Sequence, residues 1–281
     1  MPQITRFKKN LRDAMCKIVS CLGPKGSYTY IAAKNMCDGA EIVPCATFLA
    51  AANMVLEGEA DAVVMPIENS INGGVLQNMD ILANCGALTA VREYTLRIDH
   101  RLITLAGADR SGINRIYSHR QALDQCAAYL NAHYPNAELV AENSTAASVS
   151  CIKLPTDAAI AGAQCAWEGY DVSPECISDE KNNYTHFLLV VQGSLENECR
   201  SNKIYFTLTC NNEPGALLKI LSVIYKYGIN MVKIESRPLK NVAHAYRFFM
   251  EIEADYSAPG VKEALEELDR TASSFRVIGA Y

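Results

Sequence analysis

Short apolar runs that stop at Gly or Pro take turns along this chain with stretches of helical period. A buried run of about six residues suits a strand and is too short for a buried helix. That alternation points to strands covered by helices, an α/β protein. Lys17 to Leu22 is one such run, cut at Gly23-Pro24-Lys25-Gly26, and Ala60 to Met65 is another, cut at Pro66. Between them Thr47 to Leu56 reads as a helix: Thr47 can cap it, Phe48, Ala51, Ala52 and Val55 share a face, and Gly58 ends it. Ser118 opens another helix with Gln121 in the capping-box position and Leu123, Cys126, Ala127 and Leu130 as its buried stripe. Glu138 to Ala141, Asp157 to Ala161 and Phe187 to Gln192 read as further strands.

Gly193 to Asn202 is polar and reads as a linker, dividing a domain at 16–193 from one at 202–281. The second part is a βαββαβ module. Its strands are Lys203 to Cys210, Ile229 to Ser236, Ala243 to Ala254 and Ser273 to Tyr281, and its helices Pro214 to Tyr227 and Pro259 to Arg270. Pro214 in the first turn and Gly228 just past the last mark the first of these helices. Leu217, Leu218, Leu221, Ile224 and Tyr225 give its apolar face.

Composition removes several function classes. A net charge of −5 offers no basic surface for nucleic acid or a membrane face. No apolar stretch approaches a membrane-spanning length, and the N-terminus lacks the pattern of a secretory signal. The eleven cysteines are odd in number and none shows Cys-x-x-Cys spacing, so buried thiols in a reducing cytoplasm are expected rather than zinc or disulfides.

Three clusters carry chemistry. Gly23-Pro24-Lys25-Gly26-Ser27 can present backbone N–H groups to an anion, or be an ordinary tight turn; it lacks Walker spacing. Pro66-Ile67-Glu68-Asn69-Ser70-Ile71-Asn72-Gly73-Gly74 ends a strand in uncharged hydrogen-bonding side chains, where open α/β sheets bind ligands, or where a turn is capped. Asn182-Asn183-Tyr184-Thr185-His186-Phe187 enters a strand with a Thr-His pair, either acid/base machinery or a half-buried His at a strand mouth.

Taken in order, these segments resemble the prephenate dehydratases. So do Ser118-His119-Arg120-Gln121-Ala122-Leu123-Asp124-Gln125-Cys126, Ser144-Thr145-Ala146 and Ala158-Ala159-Ile160-Ala161. The C-terminal module resembles the ACT domain of the same enzymes, through Asn212 to Leu217 and Glu235-Ser236-Arg237-Pro238. Two positions depart from the family pattern: Arg120 stands where Pro is usual, and His186 where Arg is usual in Thr-Arg-Phe. Arg grips a carboxylate with a planar fork, whereas His offers at most two single donors.

The resemblance implies a two-lobed, periplasmic-binding-protein-like catalytic domain and a ferredoxin-like ACT domain. Lobe one would hold roughly Lys17 to Arg92 plus the strand returning after Thr185. It implies conversion of prephenate to phenylpyruvate with loss of water and carbon dioxide, and no metal or organic cofactor. Thr185 would be the catalytic residue. Gly26, Ser27, Asn69, Ser70, Gln121, Asn183, His186 and Phe187 would bind substrate, with Glu68 turned away from it. Phenylalanine would bind as inhibitor between paired ACT domains, on Asn212, Gly215, Ala216, Leu217 and Leu218 and on Glu235, Ser236, Arg237 and Pro238. The expected assembly is a homodimer or homotetramer, and the first fifteen residues are too few for a fused chorismate mutase bundle. Arogenate dehydration, non-aromatising decarboxylation of prephenate, and amino-acid sensing without catalysis remain alternatives.

Overall fold

The computed structural model describes residues 16–195, 200–239 and 245–281. Cys199 and the start of the strand expected from Ala243 lie outside the described residues.

Lobe one begins with β1 (Ile18–Leu22), α1 (Tyr28–Met36), β2 (Glu41–Cys45), α2 (Phe48–Leu56), β3 (Ala62–Asn69), the short β4 (Gly73–Gly74), α3 (Leu76–Asn84) and β5 (Leu88–Arg97). Lobe two follows: β6 (Arg101–Leu105), β7 (Arg115–His119), α4 (Arg120–Gln125), α5 (Ala127–His133), β8 (Glu138–Glu142), α6 (Thr145–Ser148), β9 (Asp157–Ala161) and β10 (Tyr170–Val172). The chain returns to lobe one as β11 (Tyr184–Gln192). The C-terminal module is β12 (Lys203–Thr209), α7 (Ala216–Lys226), β13 (Asn230–Pro238), β14 (Tyr246–Glu253), α8 (Pro259–Thr271) and β15 (Ser274–Ala280). Lobe two has its own five-stranded sheet, β10-β6-β9-β7-β8. Two segments cross between the lobes, and they touch where Ile98 N donates to Asn183 O at 2.8 Å. Lobe one therefore runs through Arg97 rather than Arg92 and resumes at Tyr184.

Several expected elements form for the expected reasons. Thr47 Oγ1 accepts from Ala50 N at 3.0 Å and starts α2, whose Ala51, Ala52 and Val55 are buried. Several expectations need correction. α7 buries Ala216, Ile220, Val223 and Ile224, whereas Leu218 and Tyr225, expected on its apolar face, are exposed. Pro66 does not stop β3. The ladder to β1 ends at Val64, and β11 shifts register between His186 and Phe187, opposite Pro66, so no strand partner needs the missing N–H. Ser118 does not cap a helix. It lies within β7 with its buried hydroxyl donating to Ile160 O at 2.6 Å, and His119 Nδ1 takes the cap by accepting from Gln121 N at 3.3 Å. Pro214 is not the first turn of α7. Gly215 sits at φ +84°, outside helical geometry, so the helix opens at Ala216.

The sequence gives no hint that the two domains share one sheet. Strands run β13-β14-β12-β15-β5-β11-β3-β1-β2, with β4 attached to β3. The join is a single parallel bridge between Gly279 and Ala90. A Cβ on Gly279 would overlap the Ala90 carbonyl, so only glycine permits that approach. α7 and α8 cover one face of the module around Phe206, Leu208, Ile220 and Met250. Its other face packs Tyr205, Phe249, Ile278 and Tyr281 into the same core as Met65, Met79, Leu82 and Leu88 of lobe one. Burying a large apolar side chain is worth about 1.5–3 kcal/mol. The boundary between the domains is thus hydrophobic core, and its polar contacts are secondary.

Candidate active site

β1 and β3 run parallel, so their carboxyl ends reach the same edge of the lobe-one sheet. Antiparallel β11 begins there, with Thr185 opposite Asn69. Lobe two brings the end of β7 and the starts of α4 and α6 to face them. Between the lobes lies a cleft of about 360 Å³. Leu22, Gly23, Ser27, Tyr28, Thr29, Pro66, Asn69, Thr185 and Phe187 line one wall; His119, Gln121, Gln125, Asn143, Ser144 and Thr145 line the other. Among the described residues no Lys, Arg, Asp or Glu lines it. Its floor is apolar, from Phe48, Val75, Ile98 and Phe187.

The polar groups are tied to one another. Asn69 Nδ2 donates to Asn183 Oδ1 at 2.7 Å and to Thr185 Oγ1 at 3.0 Å, and lies 3.1 Å from Tyr184 O. Its Oδ1 accepts from the backbone N–H groups of Ile71 and Asn72 at 3.2 and 3.1 Å. Both ends of the amide are therefore fixed, and the N–H end must face Thr185. Among the described residues the Thr185 hydroxyl has no acceptor, so its own proton is available to the cleft. Behind this pair, Asn183 Nδ2 donates to Gln125 Oε1 at 3.0 Å, and His100 Nε2 meets the same oxygen at 3.0 Å. Since that oxygen can only accept, His100 carries its proton on Nε2. Nδ1 faces the Tyr28 hydroxyl at 3.2 Å. Burial holds His100 below the usual imidazole pKa.

Of the residues singled out in the sequence, Ser27, Asn69, Gln121, Thr185 and Phe187 come together on the cleft walls. Four others do not reach the lining. Asn183 lies fully buried behind Asn69. Ser70 faces outward, its hydroxyl donating to Asn182 O and accepting from Tyr184 N, both at 3.0 Å. Gly26 is held at the rim, where its carbonyl accepts from the Cys165 thiol at 3.2 Å. His186 points to the opposite face of β11, because successive strand residues alternate and Thr185 faces the cleft. There its Nδ1 lies 2.9 Å from Thr95 Oγ1 and 3.3 Å from Glu93 Oε1, in the seam with the C-terminal module. Lys203 reaches both Glu93 and Glu251 in that seam, at 2.9 and 3.1 Å. Burial works to raise the Glu93 carboxyl, but hydrogen bonds from His186 and Lys203 outweigh it and hold it below its usual value. Glu68 also turns away from the cleft, and pairs with Lys233 at 2.6 Å.

Sequence reasoning missed Gln125, His100, Tyr28, Thr29 and Thr145. Gln125 had a signal: it stands one helical turn after Gln121, on the same face. In the C-terminal module, Glu235 packs against Gly74 and Arg237 holds Asp80 through two nitrogens, so half of the second expected effector segment grips lobe one. Ser236 and Pro238 are exposed, as are Asn212, Gly215 and Leu218; Ala216 is buried and Leu217 half-buried. Among the described residues no group of three His, Cys, Asp or Glu is placed to hold a metal ion.

Residues 19–194 match the sequence model of the prephenate dehydratase family. The chain belongs to the prephenate dehydratase family. Residues 204–270 match the model of the ACT domain. A bifunctional chorismate mutase/prephenate dehydratase of Neisseria gonorrhoeae is 38% identical over 269 residues, covering 94% of this chain and 74% of that protein. The crystal structure of prephenate dehydratase from Arthrobacter aurescens, in complex with L-Phe, superposes with a TM-score of 0.85 at 33% identity, over 94% of this chain and 90% of that one. GqqA, described as a novel type of quorum quenching acylase, has the same architecture: TM-score 0.83, 27% identity, 94% of this chain and 97% of that one. As a family member the chain is a hydro-lyase with a two-lobed dehydratase domain and an ACT module. No helix among the described residues is long and apolar enough to cross a membrane.

Proposed function

We propose that the protein turns prephenate into phenylpyruvate in the cleft between its lobes, and that phenylalanine bound at the ACT module restrains it. The observation that carries the first part is the Asn69–Thr185 hydrogen bond on the cleft wall. A threonine hydroxyl is a weak acid. Accepting from Asn69 polarises it and turns its proton toward the substrate. In the reaction the bond from ring carbon to hydroxyl breaks, and the departing oxygen takes up one proton from solvent, relayed through the Thr185 hydroxyl, and leaves as water. The electrons of the bond to the ring carboxylate move into the ring, and carbon dioxide departs as the ring becomes aromatic. Such a positioned donor is typically worth about 10²–10⁴-fold.

With no Lys or Arg among the described residues that line it, the cleft would hold the two carboxylates chiefly with uncharged donors. The first turn of α1 supplies them: its leading N–H groups lack intrahelical partners, and Ser27, Tyr28 and Thr29 line the wall. Ser144, Thr145 and Gln121 face them from lobe two. Phe187 supports the ring. Asn183 and Ser70 act behind the wall by holding Asn69 and its turn. The same lining argues for prephenate over arogenate, since no carboxylate among the described residues lines it to pair with an ammonium group. Residues 16–193 would then carry catalysis and 202–281 control. β13 is the edge of the sheet and exposes Val232 and Ile234, which suits pairing with a second copy around an amino-acid site. The odd number of cysteines, none with Cys-x-x-Cys spacing, supports placing the protein in a reducing cytoplasm.

The test is incubation with prephenate while phenylpyruvate absorbance is followed, with arogenate as a parallel substrate and phenylalanine titrated by calorimetry. Native protein should form phenylpyruvate, and Thr185→Ala should lose about a hundredfold or more in kcat at an unchanged thermal midpoint. Near-native turnover in that variant would remove Thr185 from the chemistry. Absence of phenylalanine binding would remove the proposed control.

A further inference from the structure

Among the contacts that join the lobes, one exposed side chain makes two hydrogen bonds across the cleft mouth. Asn72 Oδ1 accepts from Gln121 Nε2 and from Gln125 Nε2, each at 2.7 Å. Both glutamines lie on α4 of lobe two, one turn apart, while Asn72 belongs to the turn after β3 of lobe one. The backbone N–H of Asn72 donates to Asn69 Oδ1 at 3.1 Å. Asn72 thus touches lobe two with its side chain, and touches with its backbone the amide that orients Thr185. Gln125 closes the circuit from the other side through Asn183, which accepts from Asn69.

We infer that Asn72 is a positioning residue: its carbonyl oxygen latches α4 over the cleft and sets Gln121 and its neighbours against Thr185. The inference rests on the placement of catalysis at Thr185. Asn72 is not among the residues lining the cleft and instead lines an adjoining cavity with Gln121 and Gln125, so it acts through those two and Asn69. What the latch requires is an acceptor of two N–H groups at this position. An aspartate supplies that acceptor and an alanine does not.

The experiment measures kcat, KM for prephenate and thermal midpoint for native protein, Asn72→Ala, Asn72→Asp and Thr185→Ala. Because Asn72 is exposed, both of its variants should fold. Asn72→Ala should lose about tenfold in kcat, the size expected of two neutral hydrogen bonds, with KM changed less than about threefold. Asn72→Asp should keep kcat within about threefold of native, since its carboxylate accepts from both amides. Native kcat in Asn72→Ala, an effect confined to KM, or Asn72→Asp as slow as Asn72→Ala would each overturn the latch. Native turnover in Thr185→Ala would instead overturn the site on which the latch depends, so the two failures are told apart.

Discussion

At the scale of single residues, the cleft works by fixing the direction of neutral hydrogen bonds. His100 shows what that demands: one nitrogen must donate to Gln125 while the other faces Tyr28. The ring is buried and its pKa lies below the ordinary imidazole value. The folded state therefore binds a proton less readily than the unfolded chain does. The stability this contributes is present above the unfolded value, about 6.5, and is lost as pH falls through the lower folded value. Denaturant unfolding of native protein and of His100→Gln, compared at about pH 7.5 and pH 5.5, checks this. The gap between them should narrow toward acid, because the variant has no ring to protonate; a constant gap would exclude linkage at His100. Little of this was legible in sequence. Thr185 and Asn69 stood out because they occupy strand ends within dense polar motifs. His100, Gln125 and Asn72 did not, because each is an ordinary polar residue until the fold joins segments far apart along the chain. His186 was expected on the substrate and is not there, since a strand that points Thr185 into the cleft points the next residue out of it.

At the scale of elements, β13 is the arm by which the ACT module holds lobe one. Its odd-numbered residues reach across: Lys233 to Glu68, Glu235 to Gly74 and Arg237 to Asp80. Glu68 immediately precedes Asn69 on β3, so a shift of this arm is felt one residue from the amide that orients Thr185. Lys233→Met should leave turnover without phenylalanine near native and weaken inhibition by about fivefold or more, the lower range of ordinary coupling energies. Inhibition curves for the two proteins decide it; identical curves would mean the signal travels elsewhere. Sequence patterning found this strand but not its role, since a surface lysine and a motif arginine do not disclose partners in another domain. The same limit explains Pro66 and Ser118. A proline is a strand breaker only where a ladder needs its N–H, and a serine is a cap only if no strand claims its hydroxyl.

At the scale of the whole molecule, the sheet that passes from β15 to β5 makes lobe one and the ACT module a single body, with lobe two attached by two crossing segments. That body forms a frame to which lobe two is joined. Gly279 is where the frame is joined, and a side chain there must push Ala90 away. Gly279→Val should destabilise the protein by about 1–3 kcal/mol and split its denaturant transition in two as the module loosens from lobe one. A single transition at the native midpoint would show that the bridge contributes nothing. The βαββαβ order was readable from periodicity, because each module strand and helix is local. That its sheet would fuse with the neighbouring domain was not, because one glycine bridging to one alanine leaves no pattern. The join also bears on heredity. A regulatory module that could be cut out at the linker could be exchanged between enzymes as a cassette. This one shares a backbone ladder and a hydrophobic core with its neighbour, so a graft that changes effector must carry β5 and α3 along with it, and the two halves of the gene should diverge in step.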